Sequence, residues 1–541
     1  MKYNAAILTA ATSNLVGRAA AAPDPNLQPL PPMGFNNWAR FMSNINESIF
    51  VDAVAAMARN GLQQAGYTRI NLDDAWQQTA RAANGSMLWD ESRFPNGLPW
   101  LTNHIRSKGF LPGTYSDAGT FSCAANFPGT LGHEEQDLQT FADWGFEYLK
   151  LDGCYVDTPP GYFSVYGKWL SILDKFNHDG SGRKMVFSNS APAYAAGRDN
   201  LTDWYTLMAQ AASGGQLSRH SYDIATYSDS NDSVWYSVMK NYDWQIRLAR
   251  FQQPGYFNDP DFLIADHPGL TLEEKKSQFA LWASFSAPLF ISADIPNLSP
   301  DELKYLTNKD LIAVNQDKLV QQATLVSQDG SWDVLTKSLS NGDRLVAILN
   351  RADKAASLTV PWSRIGIKPR AQGTLFVKNL VTGSSSTIAA SAGAVKAESV
   401  PSHGTVVYRI SSKHSLNTVP TGMIFNTNSL LCLTDSKNSL VAWQNCQGSD
   451  AQVWSVSDDG KIRSLLRPTA CLNADSNGII LSTTDACQKS SWEHTFSGNL
   501  VDKATKKCLT DDGTGIASSQ DCGIMTNEQV VGLPVGVKII Q

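Results

Sequence analysis

The chain has 541 residues, 42% of them hydrophobic and 17% charged, with 44 Lys and Arg against 50 Asp and Glu for a net charge of −6. This composition excludes a disordered or collagen-like chain, and the mildly acidic balance argues against nucleic acid or an anionic membrane as the main partner. The length allows three or four domains with sizeable cores.

In chain order, Met1-Lys2, a small-residue apolar stretch and an Ala-rich exit before Pro23 predict a secretory signal peptide over 1–22. No apolar run approaches the ~18 residues that a membrane span needs. Between residues 23 and 314, short apolar strands alternate with amphipathic helical segments. Strands are predicted at 33–35, 67–72, 110–115, 146–151, 184–187, 216–222, 255–257 and 289–291. Helices are predicted between them, for example over 49–64 and 138–144, with Gly66 and Gly145 placed to stop a helix before the next strand. This alternation predicts an α/β fold of the (β/α)8 TIM-barrel type. A doubly wound open sheet is the alternative, but no Gly-rich phosphate loop follows the first strand.

From 315 to 410 the pattern changes to alternating segments such as Arg344-Leu345-Val346-Ala347-Ile348-Leu349, which predict an antiparallel β-sandwich domain. A polar stretch with Pro420, over 411–422, reads as a linker. The remainder, 423–541, carries an internal repeat. Cys432-Leu433-Thr434-Asp435, Cys471-Leu472-Asn473 and Cys508-Leu509-Thr510-Asp511 each open a unit, and a second cysteine follows at 446, 487 and 522. Three local disulfides follow from that spacing: Cys432–Cys446, Cys471–Cys487 and Cys508–Cys522. The first unit closes with Gln452-Val453-Trp454. The segment resembles the ricin B-type β-trefoil lectin, although Trp492 lacks its Gln and Gln529 lacks its Trp. The resemblance implies a carbohydrate-binding site in the first unit built from Asp435, Trp443 and Asn445 or Gln444; alternatively the repeats only fold. The even cysteine count and five sequons, at Asn46, Asn84, Asn200, Asn231 and Asn297, support a secreted, extracellular, N-glycosylated protein.

Catalytic groups of barrel enzymes sit at the carboxyl ends of the strands. The fourth strand ends Tyr148-Leu149-Lys150-Leu151-Asp152, and strand periodicity puts Tyr148, Lys150 and Asp152 on one face. Lys150 should lower the Asp152 pKa and keep it ionised, as a nucleophile requires. The second strand ends Asn71-Leu72-Asp73-Asp74, the sixth carries Arg219 and Asp223, and the seventh ends Asn258-Asp259-Pro260-Asp261. The eight His are scattered without metal-ligand spacing, and His220, at a strand end, reads as structural; neither a metal nor a cofactor is expected. Paired carboxylates in an aromatic-lined pocket suit glycoside hydrolysis.

Pro32-Met33-Gly34-Phe35-Asn36-Asn37-Trp38, Asn71-Leu72-Asp73-Asp74-Ala75-Trp76, Lys150-Leu151-Asp152-Gly153-Cys154 and Asn258-Asp259-Pro260-Asp261 resemble glycoside hydrolase family 27. That family contains α-galactosidases and α-N-acetylgalactosaminidases. The resemblance implies a retaining exo-glycosidase acting on oligosaccharides, polysaccharides or glycoprotein glycans with terminal α-galactose or α-N-acetylgalactosamine. It assigns Asp152 as nucleophile and Asp223 as acid/base. Because Trp235 is displaced from the family's usual spacing, Asp229 and Asp232 are rivals for the acid/base. It places Asp73, Asp74, Lys150, Trp38 and Tyr115 around the sugar and Arg219 and Asp261 near its 2-substituent, and it implies a Cys123–Cys154 disulfide. In the loop after the fifth strand, alignment on Pro192 and Tyr194 puts Ser190 and Ala193 at the positions that choose between hydroxyl and acetamide. Their small side chains lean towards an α-N-acetylgalactosaminidase, with an α-galactosidase of galacto-oligosaccharides or galactomannan as alternative. A sugar-binding protein with an inactive barrel is a reading of another class.

Overall fold

The computed structural model describes residues 23–124, 126–156, 161–370, 373–413, 415–436, 440–475, 478–482 and 485–540. The signal-peptide reading over 1–22 lies outside them.

Eight short strands form the first domain: β1 (Met33–Asn36), β2 (Arg69–Asn71), β3 (Leu111–Asp117), β4 (Tyr148–Asp152), β5 (Val186–Asn189), β6 (Leu217–Arg219), β7 (Phe257–Asp259) and β8 (Leu289–Ile291). Each overlaps a predicted strand. They pair in parallel in the order β7-β6-β5-β4-β3-β2-β1-β8, and a bridge from Leu263 to Ile291 spans the remaining gap. The strands are buried on both faces, which is why they read in sequence as short continuous apolar runs. Tyr148 points into the ring and meets Phe290 of β8 edge-on at 5.8 Å, while Leu149 and Leu151 are fully buried under the helices.

Helix ends follow local chemistry. The helix predicted over 49–64 runs Glu47–Arg59 and resumes at Leu62–Ala65, because Gly61 takes a positive φ of 91° between them. Gly66, at φ 110°, stops the second piece before β2. The helix predicted over 138–144 starts one turn earlier, at Glu134, where Glu134, Glu135 and Asp137 face the positive end of its dipole.

The second domain contains β9 (Thr324–Gln328), β10 (Trp332–Ser338), β11 (Arg344–Asn350), β12 (Ala356–Pro361), β13 (Thr374–Asn379), β14 (Ser385–Ala389), β15 (Ala394–Val400) and β16 (Thr405–Ser412). A six-stranded sheet, β14-β13-β16-β11-β10-β9, packs with the β12-β15 pair around Val334, Val346, Trp362 and Ile410. The predicted linker is shorter than 411–422, because β16 extends to Ser412 and the first strand of the next domain is Thr421–Met423.

That third domain is a trefoil of short, mainly antiparallel strands with its own core, including Leu433, Trp443, Trp454, Leu472, Trp492 and Leu509. Its three disulfides are Cys432–Cys446, Cys471–Cys487 and Cys508–Cys522, one per repeat. Gln452 donates to Thr434 Oγ1 at 3.0 Å and to Asn445 O at 2.9 Å, and accepts the Gln447 N–H. Gln529 makes the same three bonds in the third repeat, to Thr510 Oγ1, Asp521 O and Gly523 N–H. The Gln is therefore a loop brace that works without the Trp. Trp454 Nε1 donates to Leu433 O and Trp492 Nε1 to Leu472 O, so these indoles serve the core. The trefoil docks on the barrel through Tyr205 and Thr427, 2.7 Å apart, and Leu201 N–H to Asn527 Oδ1 at 3.0 Å.

Candidate active site

The carboxyl ends of the barrel strands surround a cavity of about 210 Å³. Its lining includes Trp38, Asp73, Asp74, Tyr115, Lys150, Asp152, Ala193, Tyr194, Arg219 and Asp223. Ten residues assigned from sequence to three of the four motifs, to the third and sixth strands and to the loop after the fifth therefore meet in one place.

Asp73 is buried at the end of β2 and is held from three sides. Lys150 Nζ lies 2.9 Å from Oδ2, Asn36 Nδ2 donates to the same oxygen at 2.7 Å, and Asn37 Oδ1 accepts the Asp73 N–H. The Lys150 ammonium also stands 3.8 Å from Asp152 and 5.1 Å above the Tyr115 ring. Burial alone would pull its pKa down, but Asp73 and Asp152 outweigh burial and hold it above the ordinary lysine range. Asp74 accepts N–H groups from Ala75 and Ala124, yet burial pushes its pKa up to about 6.

Asp152 ends β4. Its Oδ1 accepts the Tyr194 hydroxyl at 2.8 Å, and that hydroxyl in turn accepts the Gly153 N–H at 3.0 Å. Tyr194 is stacked on Tyr162 at 5.1 Å. The expected lowering of the Asp152 pKa is reversed: burial raises it, and the Lys150 charge opposes burial without overcoming it. The Cys123–Cys154 disulfide joins the loops after β3 and β4, and both cysteines line the cavity.

Asp223 is 74% exposed and sits opposite, with Oδ1 3.1 Å from Arg219 Nη2. Asp229 instead closes its own loop by accepting the Thr226 N–H at 2.6 Å. Asp223 lines the cavity, whereas Asp229 and Asp232 do not. The displaced Trp235 stacks on His403 of the β-domain. His220 is fully buried against Gln245, and burial pushes its pKa down to about 3, a neutral structural ring.

The first domain, residues 30–317, matches the family model described as Alpha galactosidase A. The chain belongs to the α-galactosidase A family. Residues 329–410 match the α-galactosidase C-terminal beta sandwich domain and residues 420–529 the ricin-type beta-trefoil lectin domain. Alpha-galactosidase A of Aspergillus niger is 48% identical over 524 residues, covering 95% of this chain and 93% of that one. Alpha-galactosidase 2 of Arabidopsis thaliana is 37% identical over 342 residues, covering 62% and 79%. The crystal structure of alpha-galactosidase I from Mortierella vinacea aligns with a TM-score of 0.63 at 26% identity, over 73% of this chain and 100% of that one.

Several α-galactosidase site assignments change in the tertiary structure. Ser190 does not line the cavity: it is 1% exposed, one turn of 3-10 helix before Ala193, and its Oγ has no hydrogen-bond partner among the described residues. Asp261 is also outside the lining. It is 3% exposed, ion-paired with Arg219 at 3.1 Å, and accepts the Ile224 N–H, so it positions Arg219 and the Asp223 loop. In the trefoil, Trp443 is 3% exposed and bonded to Thr510 O, so it offers no face for sugar stacking. Asp435 is occupied by Arg467, whereas Asn445 is exposed. The three do not form the expected lectin pocket. All five sequon asparagines are exposed.

Sequence reading missed Asp117, at the end of β3. Its oxygens accept the Gly119 and Cys154 N–H groups at 2.7 and 2.8 Å, bracing the wall beside Asp152. Its position two residues after Tyr115, at a strand end, was the available signal. Burial, and then the Asp152 charge, push its pKa up to about 7. A carboxyl raised in the folded state binds its proton more tightly there than in the unfolded chain. Its stabilising contribution is complete below about pH 4 and is lost as pH rises through about 7. The melting midpoint is expected to fall over that window, and less steeply in Asp117→Asn; equal slopes in the two proteins would remove Asp117 from the account.

Proposed function

We propose that the protein is a secreted, retaining α-galactosidase that removes terminal non-reducing α-galactose from galacto-oligosaccharides or galactomannan. The observation that carries the reading is the single cavity joining Asp152 and Asp223 to the Asp73–Lys150 pair. Asp73, Asp74 and Lys150 bind the outer hydroxyls, and Trp38 and Tyr115 flank the ring. Asp152 attacks the anomeric carbon, and the glycosidic C–O bond breaks as Asp223 gives its proton to the departing oxygen. Asp223 then takes a proton from water, whose oxygen attacks the same carbon, releasing galactose and restoring the Asp152 carboxylate. Secretion is supported by four disulfides, which persist in oxidising compartments.

The galactose reading replaces the N-acetylgalactosamine lean. Ser190, meant to meet the acetamide, is walled off, leaving only Ala193 in its favour, and the relatives are named α-galactosidases. With aryl α-galactoside and aryl α-N-acetylgalactosaminide compared by kcat/KM, we expect about a 100-fold preference for the unacetylated sugar. A preference for the acetylated sugar would overturn this reading; binding of both without turnover would mean an inactive barrel.

A further inference from the structure

Tyr222 also lines the active-site cavity, and the proposed hydrolysis gives it no task. It differs from the other aromatic side chains of that lining. Tyr115 is buried and Trp38 and Tyr194 are half-buried, whereas Tyr222 is 37% exposed. Its neighbour Asp223 is exposed as well, so the two stand together at the cavity mouth. That position fixes what Tyr222 can touch. A proton donor must come within hydrogen-bond reach of the departing oxygen. The group carried by that oxygen therefore begins beside Asp223, on the mouth side of the residues that hold galactose.

The Tyr222 ring is held from behind. Arg219 Nη2 donates to Tyr222 O at 2.7 Å and to Asp223 Oδ1 at 3.1 Å, so one buried guanidinium fixes both residues. Lys240 Nζ lies over the ring, 3.3 Å from its centroid, and Trp244 meets it at 6.2 Å and 65°. The hydroxyl packs against the loop after β5, where a Cβ built on Gly197 would collide with it. The ammonium covers one face and Gly197 the hydroxyl end, which leaves the other face to account for the exposure. An aromatic face fixed in this way costs little side-chain entropy on binding, and it suits the apolar C–H face of a pyranose ring.

We propose that Tyr222 is the platform for the leaving group: it stacks on the pyranose that carries the departing oxygen, and so selects galactose linked to another sugar over galactose linked to a simple alcohol. The proposal rests on the α-galactosidase reading of the same cavity. Its test is the ratio of kcat/KM on a galactosyl-(1→6)-glucose disaccharide to kcat/KM on methyl α-galactoside. Both departing oxygens need a proton, but only the first carries a ring. Aryl galactosides are unsuitable, because a phenyl ring would stack on tyrosine as well. The wild-type ratio should favour the disaccharide. Tyr222→Ala and Tyr222→Leu should lower it about tenfold, and Tyr222→Phe, which keeps the face, should preserve it. Damage to Asp223 or to the galactose-binding groups lowers both rates and largely cancels in the ratio, so a merely structural role would not move it. Should Tyr222→Ala not fold, the Leu and Phe variants carry the comparison. A ratio unchanged in Tyr222→Leu, or lowered just as far in Tyr222→Phe, overturns the proposal. Failure of the wild type to turn over either galactoside would instead overturn the α-galactosidase reading beneath it.

Discussion

Asp152→Asn is expected to lower kcat on aryl α-galactosides by at least about 10⁴-fold while leaving the fold intact. The amide is isosteric and keeps an oxygen to accept the Tyr194 hydroxyl, so the cavity retains its shape. What it loses is the negative charge that Lys150 faces at 3.8 Å and the electron pair that would form the glycosyl ester. The effect should fall on kcat, because the groups proposed to hold the sugar, Asp73, Asp74 and Lys150, remain. Chemical rescue separates loss of the nucleophile from general damage. In Asp152→Gly, added azide should enter the vacated space and give a β-galactosyl azide, the inverted product. Retention of more than about a hundredth of wild-type turnover in Asp152→Asn would place the nucleophile elsewhere.

Asp223→Ala is expected to show a loss that depends on the leaving group. General acid catalysis contributes about 10²–10⁴-fold, and it matters most where the departing oxygen is a poor leaving group. Hydrolysis of an α-galactosyl oligosaccharide should therefore fall by about that factor. An activated dinitrophenyl galactoside, which needs no proton to depart, should still form the glycosyl-enzyme quickly. That intermediate should then accumulate, because water attack has lost its base, and azide should relieve the block. Equal losses on both substrates would remove Asp223 from proton transfer. Asp229→Ala is the natural control: its carboxylate is already engaged with Thr226 in its own loop, and turnover should be unchanged.

Much of the site was legible because its signals are local. A parallel barrel strand is buried on both faces, so each of β1 to β8 appears as a short apolar run ending in polar residues. The two-residue period of β4 separates Lys150 and Asp152 from Leu149 and Leu151 without knowledge of any other strand. Where reading stopped short, the missing information was about neighbours. The Asp152 pKa illustrates this: adjacency to Lys150 is visible in sequence, but the extent of burial around the carboxyl, which turns the shift upward, is set by β3, β5 and the loops above them.

The order of three domains, the pairing of cysteines within each trefoil repeat, and the carboxylates that close β2, β4 and β6 are written in the local sequence. These depend on periodicity, spacing and strand-end position, which are properties of short segments. Which side chains reach open space depends on how the whole chain packs. Ser190 and Ala193 are equally small, yet one 3-10 turn buries the first and exposes the second to the cavity. Trp443 looks like a stacking platform until the repeats close around it as core. Arg250 is one cation among many in the chain, and it becomes a buried charge, with no ion pair among the described residues, only when barrel and trefoil meet over it. Burial of one side chain is decided by residues hundreds of positions away, and no local pattern records it.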